Sequence, residues 1–220
     1  MKTNQLLLWG ALALALVAGP FPARPQMPMP MTTNSDFTLR MVDSMAVMNK
    51  AMMSAPLNGD PDHDFCAMMI PHHQGAIDMA KEFLSVGRNP DIRKLARNII
   101  AGQQREIRTL QIELTKLSSN TPSMTTNPAF AQSMMESMKV MKKAMMNAFM
   151  NGDPDHDFCA MMIPHHQGVV DMDKAILMYG QDPVVLKLAQ REMDSQGRQI
   201  DMMKHWLAAS PPNAPMMNPK

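Results

Sequence analysis

The chain has 220 residues, 21 basic against 20 acidic side chains for a net charge of +1, and 29 methionines against two cysteines. That balance excludes a dedicated nucleic-acid binder, which needs a basic surface to displace counterions, and it excludes a polybasic membrane patch. An apolar share of 45% is enough for a real core. Methionine is not among the commonest residues of ordinary globular chains, so its abundance is what a functional reading must explain.

Residues 1–19, MKTNQLLLWGALALALVAG, place one lysine ahead of an apolar run that closes on small residues. The run is too short for a comfortable span and predicts a secretory signal peptide; the competing reading is an uncleaved N-terminal anchor. Both put the functional part outside the cytoplasm, periplasmic or secreted, and soluble after signal removal. Residues 20–36 and 211–220 are rich in proline and methionine and are expected to be disordered.

The segment NGDPDHDFCAMMIPHHQG occurs at Asn58–Gly75 and again, unchanged, at Asn151–Gly168, an offset of 93 (151 − 58). Met41, Met45, Met48, Met52 and Met53 fall on Met134, Met138, Met141, Met145 and Met146 at the same offset. The protein is therefore an internal duplication, with repeats at 37–117 and 130–210 joined by a polar linker at 118–129. One compact helical bundle over 37–210 is expected.

Within each repeat the methionines at steps of four, three and four trace one stripe of a helix. Asn58-Gly59-Asp60-Pro61 breaks the chain, and Asp60 or Asp62 can cap a second helix from about Asp62 to Val86, interrupted by Pro71. A third begins near Asp91 and runs past Leu110. No stretch shows sustained period-two alternation, so the fold class is all-α: an antiparallel helical bundle, with the methionine segments as extra helices packed on it or loosely attached.

Adjacent histidines on a helix point about 100° apart, so His72 and His73 serve different faces. One turn before them stand Met68 and Met69, and Met79 follows His72 at i+7. The second repeat offers His165, His166, Met161, Met162 and Met172. Thioether and imidazole together select Cu(I) and tolerate Cu(II), whereas calcium and magnesium need oxygen and zinc sites use Cys, His and carboxylate. Candidate copper ligands are these ten residues plus the stripe methionines Met45, Met48, Met52, Met138, Met141 and Met145. Packing alone competes as an explanation, most strongly for the stripes, because methionine fills irregular cores readily. Met27, Met29, Met31, Met216 and Met217, in the tails, form a candidate copper-collecting fringe.

His63 and His156, between aspartates at the helix start, are read as capping or solvated, and His205 as at best an extra site. Asp78 and Asp171 are expected in solvent. Cys66 and Cys159 are open to two readings, a disulfide between the repeats or Cu(I) ligation. A ferritin-like di-iron oxidase requires Glu-x-x-His motifs, which the chain lacks, and its glutamates, including Glu106 and Glu192, do not repeat at matching positions. No enzymatic activity is expected. A metal-free, methionine-rich module that holds apolar partners is the third reading.

The block DHDFCAMMIPHHQGAIDMAKEFL, with the following LARNIIAGQQREIRTL, resembles a bacterial family of unknown-function domains that carry duplicated PHH motifs on a ferritin-like helical bundle. Gln196, Ile200, Met203, Trp206 and Leu207 match the pattern of that family's last helix; Leu110 replaces the methionine in the first repeat, which lacks the tryptophan. The methionine enrichment looks like that of the family's copper-binding members. The resemblance implies copper storage or transfer, with a copper-exporting or copper-accepting protein as partner.

Overall fold

The computed structural model describes residues 34–119 and 126–210. Six helices follow in order: α1 Asn34–Met53, α2 Pro61–Val86, α3 Pro90–Ser119, α4 Pro128–Met146, α5 Pro154–Tyr179 and α6 Pro183–Ala209. No strand occurs among the described residues. Helix α1 starts three residues ahead of the expected repeat boundary, and α3 and α4 take residues 118–119 and 128–129 from the expected linker. The signal segment, most of 20–36 and the tail 211–220 lie outside the described residues. Among those described, no helix is long and apolar enough to cross a membrane.

Proline opens five of the six helices, where its missing N–H costs nothing. Asp60, Asn127, Asp153 and Asp182 supply N-cap oxygens to α2, α4, α5 and α6. Contrary to the expected interruption, Pro71 and Pro164 lie inside continuous 26-residue helices.

The first half of the duplicated block is a device for turning the chain and locking the repeats together. Gly59 and Gly152 take φ of +90° and +83°, the left-handed region open to glycine. Asp64 then accepts from the Asn58 and Gly59 amides at 2.8 and 3.0 Å, and Asp157 from Asn151 and Gly152 at 2.8 and 3.2 Å. Asp62 reaches into the other repeat, accepting from the Gln181 and Asp182 amides at 2.8 and 3.1 Å. Asp155 reciprocates on Arg88 and Asn89, at 3.1 and 3.0 Å. These buried carboxylates close each other's α-helical hairpin, so both copies of the block need them.

Helices α2 and α5 lie antiparallel at the centre. Phe83 stacks on Phe158 with centroids 4.3 Å apart, and His72 meets His165 at 4.0 Å. Around this pair α3 packs on α2, α6 on α5, and α3 touches α6. The methionine helices are firmly seated: α1 packs on α2 and α4 on α5. They bury Phe37, Met41, Met45, Met48 and Met52 from one and Phe130, Met134, Met138, Met141 and Met145 from the other. Each such side chain contributes roughly 1.5–3 kcal/mol by burial, so the stripe has a packing role whatever else it does.

Candidate metal centre

The two PHH motifs meet at the crossing of α2 and α5, where all four imidazoles are fully buried. The inner pair is symmetric. His72 Nε2 lies 3.1 Å from the sulfur of Met141 on α4, and His165 Nε2 lies 3.2 Å from the sulfur of Met48 on α1. Each histidine thus meets a methionine of the opposite repeat, rather than the residues one turn away that helical spacing picks out.

Glycine makes this approach possible. A Cβ on Gly75 would stand 2.7 Å from the Met48 side chain, and one on Gly168 only 2.5 Å from the Met141 sulfur. The glycine ending each PHHQG motif is the gap through which the methionine passes to the histidine of the other repeat.

Burial holds His72 and His165 well below the usual imidazole pKa, reinforced by the neighbouring histidines. Both are neutral at pH 7, and their Nδ1 atoms have no hydrogen-bond partner. Two tautomers are available. If Nε2 carries the proton, it makes a weak bond to sulfur and Nδ1 keeps a bare lone pair in the core. With the proton on Nδ1, a buried donor is stranded and the Nε2 and sulfur lone pairs face each other. A soft cation between nitrogen and sulfur takes up the two facing lone pairs of the second tautomer.

The outer pair is asymmetric. His73 Nε2 stands 3.1 Å from Glu192 Oε1 and 3.3 Å from Glu106 Oε2. Its repeat counterpart, His166, contacts the Gln199 amide oxygen at 2.7 Å. Burial alone would lower His73, but Glu192 and Glu106 carry it up to about 10; His166, without a carboxylate partner, is pushed down to about 4 by burial. The pairing of every histidine with a thioether therefore needs correction: the Nε2 atoms of the outer pair face oxygen.

The remaining candidates Met45, Met52, Met68, Met69, Met79, Met138, Met145, Met161, Met162 and Met172 are buried in the same core. Cys66 and Cys159 are free, buried thiols, and burial pushes both up. His63 and His156 turn Nδ1 to the carboxylates of Asp64 and Asp157, at 3.0 and 3.2 Å, and His205 is exposed. Asp78 and Asp171 pair with Gln74 and Gln167 on the surface. Met27, Met29, Met31, Met216 and Met217 fall outside the described residues.

Sequence reasoning missed Glu106, Glu192 and Asp173. Their positions match Gln199, Ile99 and Ala80 in the other repeat, so a search for repeated features discards them. The signal that could have found them is that divergence: carboxylates at inner helix positions, each without a carboxylate at its equivalent in the other copy.

A family model described as a domain of unknown function, DUF305, matches residues 22–114 and again 62–207. The chain belongs to the DUF305 family. The apo form of CopM is 32% identical, with a TM-score of 0.52 over 68% of this chain and 97% of that one. CopM has also been solved with Cu(I), at a TM-score of 0.51 over 67% of this chain and 96% of that one, and with Cu(II), at 0.52 over 68% and 98%. Both are 32% identical to this chain. A DUF305 fragment from Deinococcus radiodurans, 24% identical, shares the fold at a TM-score of 0.50 over 68% of this chain and 96% of its own. No functionally curated protein matches.

Proposed function

We propose that this protein is an exported copper-binding protein that sequesters or passes on Cu(I), and accepts Cu(II), without turning over a substrate. The observation that carries this reading is the pair of neutral buried imidazoles, His72 and His165, each in contact with a thioether from the opposite repeat. Neutral imidazole needs no deprotonation at pH 7, and thioether sulfur stays a ligand where thiols oxidise. The similarity to CopM, solved with both copper oxidation states, supports the same reading. Export rests on the apolar N-terminal segment. Met53, Met135 and Met146 line a groove between α1 and α4, an exposed sulfur surface on which copper is passed to or from a partner.

The test is competition for Cu(I) against a chelator of known affinity, comparing the wild type with the double variant M48L/M141L. Leucine conserves volume, costing under about 1.5 kcal/mol per site, so folding is retained. Affinity is expected to fall by more than about 100-fold, because even the outer partners of metal ligands are worth 10–100-fold. Unchanged affinity in the folded variant would exclude the inner pair as the site.

A further inference from the structure

From the contacts of the outer histidine we infer a second metal site, selective for a divalent first-row ion with nitrogen and oxygen ligands, built from His73, Glu106 and Glu192, with Asp173 supporting Glu192. Each residue comes from a different helix of the central four: α2, α3, α6 and α5 in that order. His73, Glu106 and Glu192 each offer a ligand atom, all within 4.8 Å of one another. This inference is independent of the copper reading, since it uses none of the sulfur atoms.

A buried ion pair is the competing explanation, and it accounts for only part of the cluster. His73 needs one carboxylate, and Glu192, itself fully buried, supplies it through Oε1 at 3.1 Å. Glu192 Oε2 meets no N–H or hydroxyl donor. Beside it Asp173 is fully buried, its oxygens also meeting no N–H or hydroxyl donor, and in the metal-free protein it shares a proton with Glu192, its pKa raised by burial and by that neighbour's charge. One carboxylate already answers His73, and a pairing role would not call for Glu106 at 3.3 Å as well and a further buried carboxyl group on a neighbouring helix. A divalent cation held by His73, Glu106 and Glu192 accounts for the converging carboxylates, with Asp173 backing Glu192.

The donor set fixes the class of ion. One imidazole and two carboxylates suit Zn(II), Mn(II) or Fe(II), and supply no sulfur for a soft monovalent ion. The ion also has a way in: the Glu106 side chain is 23% exposed while the other three residues are sealed. The equivalent position around His166 cannot form this site, because Gln199, Ile99 and Ala80 stand there in place of Glu106, Glu192 and Asp173.

Zn(II) is the probe, titrated into the purified metal-free protein and into E192Q and D173N, with Ag(I) titrated in parallel as a soft ion. The wild type is expected to take up one equivalent of Zn(II). Each variant should bind it at least about tenfold more weakly, with Ag(I) binding unaltered. Zinc binding unchanged in either folded variant overturns the proposal. X-ray absorption of the zinc-loaded wild type tests the site without any variant. A shell of oxygen with one imidazole is expected; sulfur, or two or more imidazoles, overturns the assignment.

Discussion

The inner and outer histidines of the two PHH motifs are neighbours in sequence and opposites in chemistry. His72 and His165 have kept equivalent surroundings through the duplication, each against a thioether of the other repeat. His73 and His166 have diverged: one faces two carboxylates, the other an amide. Both sites draw on the two repeats, since Glu106 comes from the first and Glu192 and Asp173 from the second. What differs is symmetry: the inner contacts recur at both equivalent places, whereas the carboxylates stand around His73 and not around His166, so a duplication can keep one contact in both places and specialise the next in one.

Acid titration breaks the comparison most strongly. In metal-free protein, His72, His165 and His166 have folded pKa values below the unfolded 6.5, so their contribution is present above that pH and lost as pH falls. Each costs about 1.4 kcal/mol per pH unit below 6.5. Asp173, Glu192, Asp62 and Asp155, whose pKa values are all raised by burial, take up protons on folding and offset part of that loss. His73 has the opposite sign. Its folded pKa of about 10 gives stability that is full below 6.5 and fades as pH climbs to 10. Denaturant unfolding across pH should therefore show maximal stability near 6.5, with a fall on either side of it. A flat profile from 4.5 to 6.5 would mean these histidines are not buried and neutral.

Next in size are the glycines that admit the inner methionines. G75A and G168A should each lose about 1–3 kcal/mol through forced repacking, and both should weaken Cu(I) binding. G102A and G197A, at mid-helix positions where an added Cβ meets nothing closer than 4.0 Å, should gain about 0.5–1 kcal/mol. Thermal melts of the four variants separate the two outcomes, and equal effects at all four would mean that no methionine passes over Gly75 or Gly168.

The smallest effect sharpens the outer pair. Q199E gives His166 the carboxylate that His73 already has. By NMR titration, the His166 pKa should rise from about 4 by one to three units, with the fold unchanged. No movement would show that Gln199 does not face the ring.

Much of this was legible in the sequence, for identifiable reasons. The repeat, the six helices and the methionine stripes follow from periodicity and proline placement, and the cap at Asp60 from its position before Pro61. The partners of the imidazoles were not legible, because helical spacing sees only a residue's own helix, whereas Met141 and Met48 arrive from the other repeat. The roles of Asp62 and Asp155 were hidden in the same way, since each closes a loop 66 residues or more distant in sequence. Glu192 and Asp173 escaped because a buried carboxylate is recognised by its surroundings, and the pattern around each reads as an ordinary amphipathic helix.

The central claim is that copper sits between the repeats on His72, His165, Met48 and Met141. Copper K-edge absorption on protein loaded with one equivalent of Cu(I) tests it most directly. A mixed first shell containing both thioether sulfur and imidazole nitrogen, with the sulfur contribution lost in M48L/M141L, is the predicted result. A shell of sulfur alone, or one that keeps its sulfur in the double variant, would place the copper elsewhere and contradict the account.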